Sequence, residues 1–287
     1  MILYYNVKEE NLTINTILKN KLKISSRLFT KLVHNKLIYL NDNICDTRNT
    51  AHINDVISID FNYSEDNSNI IPTKMKLNII YEDDCFIILN KPKGIAVHPS
   101  FRYFDNTLSN GLKFYFDEIK LNKKIRPVNR LDFNTSGLII FAKNEYIQEN
   151  LIKQMADNTF KKEYLAIICG KLDTKNGTID KPIARKSTSI IERLVSPDGK
   201  KSITHFEVLK EYDSYSLVKC VLETGRTHQI RVHFASIGHP LLGDDLYGTE
   251  SDLIDGQALA CSGLSFYHPI NKNYLSFKLT TCPFDFL

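Results

Sequence analysis

The chain has 287 residues, a length that suits one large domain plus a small one better than a single compact core. Its 43% hydrophobic and 24% charged residues are typical of a folded globular protein. The net charge of +4 is only mildly basic, which excludes a strong overall field, so a nucleic-acid partner must be met by local patches.

The cysteines and the first residues indicate the compartment. The six cysteines form no C-x-x-C pair and have no histidine at zinc-finger spacing, so we expect buried or incidental thiols in a reducing cytosol. Residues 1–6 contain no basic segment followed by an apolar core, and no run approaches about 18 apolar residues. We therefore expect a cytoplasmic protein with no membrane association. Nothing in the sequence demands more than a monomer.

Residues 1–62 are predicted to form a separate module with a basic helix. Six lysine or arginine side chains and no acid lie within residues 19–36. A serine can cap a helix there that places Arg27 and Lys31 on its outer face. A solvated lysine-rich helix without a partner is the ordinary interpretation of such a run. The absence of acids favours the alternative, an RNA-binding face that includes Lys23, Arg27 and Lys31.

A polar linker is predicted at residues 63–74, which assigns residues 75–287 to the large domain. This domain opens with a predicted β-hairpin and a tight turn formed by a proline and a glycine. The turn leaves Lys91 and Lys93 available to a phosphate backbone, although shaping the loop is an equally good interpretation of both lysines.

An acidic residue then lies at the start of a strand. If this segment is extended, Arg130 and Asp132 share one face while Leu131 anchors the other. Turn-forming residues follow, and then an apolar strand at 138–142. Asp132 thus occupies a common position for a catalytic side chain. An ordinary surface ion pair with Arg130 is an equal alternative on this segment alone.

The next segments predict the framework of the large domain. Residues 144–155 have the spacing of an amphipathic helix, and residues 160–170 form a predicted strand with Tyr164 near its start. A half-buried sheet tyrosine is the usual interpretation of Tyr164. Alternating segments up to about residue 223 indicate a mainly antiparallel sheet.

The richest polar block follows this sheet. Thr227 can cap a helix that places His228 and Arg231 on one side, while Ile230 helps to hold the helix to the core. The two histidines of this block are five residues apart, which does not fit the i,i+4 spacing of a zinc helix. No two glycines have the G-x-G spacing of a dinucleotide-binding loop.

Three of these segments resemble the RluA/RluD family of RNA pseudouridine synthases. Residues 130–137 match the signature R-L-D-x-x-T-S-G, residues 90–99 match N-K-P-x-G-x-x-V-H-P, and residues 224–233 match T-G-R-T-H-Q-[IL]-R-V-H. The strand with Tyr164 also resembles the family's K-x-Y-x-A strand. The motifs occur in the family's order, and this combination is far more specific than any one of them. One neighbour departs, because Asn129 stands where the family usually has histidine.

The resemblance implies a fold and a reaction. The expected fold is α+β, with a large mixed, mostly antiparallel sheet flanked by helices and preceded by a small module similar to the S-four-like RNA-binding modules of such synthases. A uridine in RNA would be isomerised to pseudouridine without a cofactor or a metal. Asp132 would be the nucleophile, Arg231 would pair with it, and Tyr164 would lie against the base.

The remaining implied site residues would bind the substrate. Arg130 would enter the base stack where the uridine leaves, and Ile230 would pack under the uracil. Arg226 and His228 would grip RNA or brace the cleft. The expected partner is RNA, with large-subunit ribosomal RNA favoured over transfer RNA by the N-terminal module.

Other classes of protein explain less of the sequence. A non-catalytic RNA-binding or ribosome-assembly protein would not need Asp132, Tyr164 and Arg231 together. A methyltransferase would need a glycine-rich cofactor loop, which the sequence lacks. A nuclease built on His228 and His233 would leave Asp132 without a role.

Overall fold

The computed structural model describes residues 1–284. Residues 1–61 form a small unit in which four strands pair in the order β1-β6-β3-β4. The strands of this unit are β1 (Ile2–Asn6), β2 (Leu12–Thr13), β3 (Ile38–Leu40), β4 (Asn43–Ile44), β5 (Thr50–Ala51) and β6 (Val56–Asp60). Its helices are α1 (Ile14–Thr16), which continues into a π-helical turn at Ile17–Lys21, and α2 (Ser26–His34).

Helix α2 begins where a serine cap is expected. The Ser25 hydroxyl accepts a hydrogen bond from the backbone N–H of Leu28 at 3.3 Å, which satisfies one of the free donors of the first turn. Leu28 and Leu32 are buried one turn apart, so one face of the helix packs into the core of the small unit.

The rest of the chain is built on one large sheet. Its strands and the accompanying hairpin are β7 (Ile79–Glu82), β8 (Phe86–Lys91), β9 (Arg126–Pro127), β10 (Ser136–Ala142), β11 (Lys161–Cys169), β12 (Asn176–Asp180), β13 (Ile183–Arg185), β14 (Arg193–Val195), β15 (Ile203–Glu211), β16 (Tyr215–Leu222), β17 (Leu259–Tyr267) and β18 (Tyr274–Lys278). The helices are α3 (Leu108–Glu118), α4 (Glu145–Ala156) and α5 (Gln229–Ala235).

Within residues 1–284 the main path of this ten-stranded sheet is β12-β15-β16-β11-β17-β10-β8-β7, with β18 paired to β17 and β9 to β10. The pairing of β10 with β17 is parallel, and the neighbouring pairs on the path are antiparallel. Strands β8 and β10 are buried along nearly their whole length, which explains their continuous apolar sequences. The expected α+β fold with a mixed, mostly antiparallel sheet is confirmed.

The predicted linker forms neither helix nor strand between residues 63 and 74, and it is held in place by charge. Arg126 binds the Glu65 carboxylate through two hydrogen bonds of 2.6 and 2.7 Å, and Lys31 of helix α2 reaches the same carboxylate at 3.1 Å. Lys31 also pairs with Glu145 at 2.7 Å. These contacts join the small unit to the large sheet. The exact domain boundary stays a prediction.

No helix among residues 1–284 has both the length and the apolar character that crossing a bilayer requires.

Candidate active site

The loop that carries Asp132 is shaped by the close approach of two strands. Gly137, at the start of β10, has a φ of +104°, and a Cβ added there would lie 2.2 Å from the carbonyl oxygen of Cys261 on β17. Only glycine permits this contact. One residue earlier than β10, the Thr135 hydroxyl accepts a hydrogen bond from Gln257 at 3.2 Å. The T-S-G part of the motif therefore docks the end of the Asp132 loop onto β17.

Lys91 supports the same loop from below. Its side chain is fully buried, and Nζ donates hydrogen bonds to the carbonyls of Phe133 (2.9 Å), Ile95 (2.8 Å) and Pro92 (3.0 Å). Burial lowers the pKa of Lys91 to about 7, an effect that the charge of Asp132 partly offsets. The expectation that Lys91 contacts an RNA phosphate is wrong, because its amine is consumed inside the protein. Lys91 instead positions the residues next to Asp132.

Lys93 is also tied to the backbone. Its half-buried amine donates to the carbonyl of Gly256 at 3.2 Å. Lys93 does not line the cleft that contains Asp132. A role in binding RNA at the reacting base is therefore not supported by its position.

Asp132 faces a cleft of about 540 Å³ with its carboxylate free. Its Oδ2 lies 3.8 Å from Nη1 of Arg231 and 3.9 Å from Nε2 of His228. Within residues 1–284 the carboxylate accepts no closer hydrogen bond, and the side chain is 28% exposed. At this distance Arg231 lies near the carboxylate without occupying its lone pairs.

Arg231 is held by a different carboxylate. Its Nε and Nη2 donate to the two oxygens of Asp244 at 2.7 and 2.6 Å, and Asp244 is fully buried. Burial lowers the pKa of Arg231, but the hydrogen bonds and charge of Asp244 outweigh this and raise it overall. The guanidinium also lies over the ring of Tyr247, with Cζ 5.1 Å from the ring centroid. These contacts aim the remaining nitrogen, Nη1, at Asp132.

His228 enters the cleft from a strained backbone. It precedes helix α5 with a φ of +58°, in the left-handed region, and its side chain makes no cap hydrogen bond. The predicted cap at Thr227 is therefore wrong, and the helix begins one residue later than that cap requires. The left-handed turn points the imidazole of His228 towards Asp132.

The imidazole of His228 is hydrogen-bonded to a tyrosine. Nδ1 of His228 lies 2.9 Å from the Tyr247 hydroxyl, which also accepts the backbone N–H of Arg193 at 2.8 Å. Burial lowers the pKa of His228, and Arg231 acts in the same direction, while Asp132 opposes them. The ring is therefore neutral near pH 7. Nδ1 and the Tyr247 hydroxyl share one hydrogen bond, and Nε2 lies on the side of the ring that faces Asp132.

Tyr164 and Ile230 close the apolar side of the cleft. Both side chains are buried, and both line the hollow that also contains Asp132. Burial raises the pKa of Tyr164 well above its ordinary value, and Asp132 adds to the effect, so its hydroxyl stays protonated. The structure thus brings an aromatic face, a hydroxyl and an aliphatic floor next to the free carboxylate.

Cationic side chains line the mouth of the cleft. Arg130 and Arg226 are exposed there, and Arg226 donates from Nε to the carbonyl of Lys201 at 3.2 Å. Lys162 lines the same cleft and forms no ion pair or hydrogen bond through its amine within the described chain. Burial lowers the pKa of Lys162. The three cations suit a phosphate group that enters beside Asp132.

Asn129 has a structural role at this site. It is buried, accepts the backbone N–H of Ile140 at 2.9 Å, and donates to the carbonyl of Leu138 at 3.2 Å. The side-chain amide thus pairs with β10 as a neighbouring strand would. The amide that replaces the family's usual histidine holds the Asp132 loop against the sheet.

The three cations predicted on helix α2 or beside it differ in their contacts with carboxylates. Lys23 and Arg27 are exposed, and neither forms an ion pair with a carboxylate of residues 1–284. Lys31, in contrast, is occupied by Glu65 and Glu145. The linker and helix α4 supply these carboxylates while the Lys31 side chain stays 32% exposed, so a contact between Lys31 and RNA stays a prediction.

The sequence analysis missed the roles of Asp244, Tyr247 and Lys162. Asp244 and Tyr247 belong to the run G-D-D-L-Y-G that follows the T-G-R-T-H-Q block, and Lys162 lies two residues before Tyr164. A polar residue close to a motif in sequence was the only available signal. Which of Asp244 and Asp245 faces inward is decided by the turn after Gly243, and sequence spacing does not reveal it.

One group of three possible metal ligands lies within residues 1–284, at Asp83, Cys85 and His268, whose ligand atoms are within 4.8 Å of one another. His268 Nε2 lies 3.1 Å from Asp83 Oδ2, and His268 Nδ1 accepts backbone N–H groups. Burial raises the pKa of the Cys85 thiol to about 12, so no thiolate is present at neutral pH. These donors already serve a turn, and the group fits a hydrogen-bonded corner better than a metal site.

Comparisons with known proteins agree with the motifs. A family model described as RNA pseudouridylate synthase matches residues 85–236. The chain is 40% identical over 272 residues to the Bacillus subtilis protein named "Uncharacterized RNA pseudouridine synthase YhcT", covering 94% of this chain and 90% of that protein. It is 36% identical over 266 residues to "Ribosomal large subunit pseudouridine synthase D" of Vibrio cholerae, covering 88% and 82%.

A solved structure supports the same assignment. The structure titled "Human RNA Pseudouridylate Synthase Domain Containing 1" superposes with a TM-score of 0.60 at 27% identity, covering 72% of this chain and 84% of that chain. The chain therefore belongs to the RNA pseudouridylate synthase family, as its motifs predicted, and is an RNA pseudouridine synthase.

Proposed function

We propose that this protein isomerises specific uridines of structured RNA, with large-subunit ribosomal RNA as its substrate and Asp132 as its nucleophile. The observation that carries the proposal is the free carboxylate of Asp132, 3.8 Å from an arginine that a second carboxylate already holds. A nucleophile needs available lone pairs, and those of Asp132 are not used by a hydrogen bond within residues 1–284.

The chemistry needs only groups that the cleft supplies. The bond from N1 of uracil to C1′ of the ribose breaks, the base rotates, and a bond from C5 to C1′ forms. The proton lost from C5 is balanced by the one gained at N1, so no redox partner is required. Asp132 can attack the sugar, attack the base, or first assist loss of the base, and each route begins with its carboxylate ionised.

The surrounding residues suit a uridine taken out of the base stack. Tyr164 offers a ring face and a protonated hydroxyl, and Ile230 packs under the uracil. Arg130 is exposed at the mouth of the cleft, where a planar cation can fill the gap that the uridine leaves. Arg226 and Lys162 bind the adjacent phosphate.

RNA outside the cleft is bound by the small N-terminal unit, through exposed Lys23 and Arg27. These cations are free for phosphates, whereas Lys31 serves the junction with the large sheet. The ribosomal substrate is supported by the name of the Vibrio cholerae relative, which acts on the large ribosomal subunit by its title. Transfer RNA is the competing substrate.

The test uses purified protein and total RNA from cells that lack it, with no added cofactor. Pseudouridines are mapped by carbodiimide treatment and primer extension. Wild-type protein should form pseudouridine at defined sites of large-subunit ribosomal RNA. Asp132→Asn should lower turnover on the order of 10⁴-fold or more while leaving RNA affinity nearly unchanged.

Two results would contradict the proposal at different levels. Equal turnover by wild type and Asp132→Asn would reject the nucleophile. Modification confined to transfer RNA would reject the substrate and leave the nucleophile in place. Asp245→Asn is the matched control, because Asp245 lies as close to Arg231 as Asp132 does, at 3.8 Å, but is 62% exposed, against 28% for Asp132.

A further inference from the structure

Exposed apolar side chains lie on loops that line the cleft or beside residues that line it, and the reaction as described does not use them. They come from the loop at residues 99–106, the residue after Asp132, and the tip of the hairpin β13–β14. Their exposed fractions are 105% for Phe101, 36% for Tyr103, 64% for Phe104, 36% for Phe133, 80% for Ile190 and 59% for Ile191. Exposed apolar groups clustered beside a functional cleft mark an interaction surface.

Two of these side chains form a fixed aromatic pair. The rings of Tyr103 and Phe133 are stacked, with centroids 4.7 Å apart and an interplanar angle of 21°. Phe133 is held from below, since its carbonyl accepts a hydrogen bond from buried Lys91 at 2.9 Å. Both rings line the same hollow as Asp132 and Arg231. The pair is thus a rigid aromatic surface one residue away from the reacting carboxylate.

The charges around this pair suit a polyanion. Arg193 and Arg231 line the same hollow, together with neutral His228 and the carboxylates of Asp132 and Asp245. Arg102 precedes Tyr103 without an ion-pair partner among residues 1–284. Aromatic faces interleaved with cations are the pattern by which proteins hold unpaired nucleotides. An acidic or apolar peptide would use the rings but would leave the row of arginines without the regular phosphates that they match.

We propose that the Tyr103–Phe133 pair is a stacking platform for an unpaired base that flanks the target uridine. The proposal rests on the proposed function, because it takes the target uridine to lie at Asp132. A uridine that leaves the stack exposes the faces of its neighbours, and those neighbours remain within one nucleotide of it along the backbone. Phe133 follows Asp132 directly, so its ring is within reach of such a neighbour.

The test measures stacking on RNA nonamers that contain a central uridine, with the fluorescent base 2-aminopurine on its 5′ or 3′ side. Emission falls when this base stacks. With wild-type protein, emission should fall at one of the two positions. Tyr103→Ala should abolish that change and bind roughly tenfold more weakly. Phe133→Leu keeps the apolar volume and the fold while removing the ring, and it should show the same loss.

An abasic site at the responsive position separates stacking from a structural effect. If the ring and the base touch, removing both should weaken binding no more than removing either one. The matched control is Tyr274→Ala, which removes one ring of an exposed aromatic pair, Tyr267 and Tyr274, that does not line the cleft. This control should bind and quench as wild type does.

Three outcomes would overturn the platform: no quenching with wild type at either position, additive losses from the abasic site and Tyr103→Ala, or the same loss in the Tyr274 control. Normal nonamer binding by Tyr103→Ala would assign the exposed rings to a protein partner. Failure of the proposed function is seen separately, as absence of pseudouridine formation by wild type on total RNA.

Discussion

Two carboxylates in this molecule each lie beside an arginine, and they differ in how their lone pairs are used. Glu65, at the junction of the small unit and the large sheet, has a 3% exposed side chain and receives two hydrogen bonds from Arg126 and one from Lys31. Asp132, in the cleft, is 28% exposed and lies 3.8 Å from Arg231 without a close hydrogen bond.

The difference comes from what else holds each arginine. The guanidinium of Arg126 donates two hydrogen bonds to Glu65. We call this pair closed, because the carboxylate is occupied by hydrogen bonds, and its role is structural. Arg231 uses Nε and Nη2 for hydrogen bonds to buried Asp244, so only Nη1 is directed at Asp132. A third residue therefore separates a structural ion pair from a reactive one. The residue types of an acid–arginine pair, without their neighbours, do not distinguish a structural ion pair from a reactive one.

The largest effect is expected when Asp244, the residue that restrains Arg231, is replaced. In Asp244→Asn, Arg231 keeps its charge but loses the carboxylate that holds it. The guanidinium can then form direct hydrogen bonds to the carboxylate of Asp132. We expect kcat to fall about 100-fold because the nucleophile is both displaced and occupied. Single-turnover assays give kcat, and filter binding should show unchanged RNA affinity.

This variant also loses stability, because a buried guanidinium without its partner is costly. The activity assay must therefore be run at a temperature where circular dichroism shows the variant to be fully folded. Asp245→Asn serves again as the control and should keep the kcat and the stability of wild type. Wild-type kcat in folded Asp244→Asn would show that Arg231 needs no restraint.

The opposite prediction holds for the closed pair. Glu65→Gln removes the carboxylate to which buried Arg126 donates two hydrogen bonds, and leaves only Glu145 at 3.4 Å as its charged partner. We therefore expect the free energy of unfolding to fall by about 3 kcal/mol. At saturating RNA, kcat of the folded variant should equal that of wild type. Urea unfolding followed by circular dichroism measures the first quantity. Asp66→Asn, one residue along and exposed, should change stability by less than about 0.5 kcal/mol.

Lowering the pH should reveal the stabilising role of Glu65 in the wild-type protein. Burial alone would raise the pKa of Glu65, but the hydrogen bonds and charge of Arg126, with those of Lys31, lower it to about 2. The unfolded value is about 4.3, so the stability that this group contributes is complete above that pH and is lost as the pH falls towards 2.

Between about pH 5 and pH 3, wild type should therefore lose more stability than Glu65→Gln does, since glutamine does not titrate. The urea midpoints of both proteins across this range measure the effect. Parallel curves for the two proteins would mean that Glu65 has an ordinary pKa in the folded state.

How far the sequence predicts this site depends on the range of the contacts involved. Local spacing predicted a helix at 144–155, and the structure has Glu145–Ala156, because an apolar stripe and a cap are local features. The approach of Asp132 to Arg231 depends on the pairing of β10 with β17, two strands far apart in the sequence. Motif resemblance predicted that approach, whereas periodicity alone left Asp132 at even odds.

Burial was the main source of the errors. Lys91 was expected at the RNA surface because lysine is ordinarily exposed. Its buried amine instead donates hydrogen bonds to carbonyls around the Asp132 loop. The start of α5 was misjudged because the left-handed backbone of His228 has no signature in residue type.

The smallest predicted effect compares two cations of helix α2. Arg27 is exposed and free of carboxylates within residues 1–284, so Arg27→Ala should weaken RNA binding uniformly by a few-fold. The slope of log affinity against log salt concentration should fall by about 1, because one phosphate contact is lost. Lys31→Met should leave that slope unchanged and lower the urea midpoint, since Lys31 neutralises Glu65 and Glu145. An equal fall in slope for both variants would show that Lys31 leaves the junction to contact RNA. An ion pair with carboxylates would then not distinguish the structural cations of this helix from those that bind RNA.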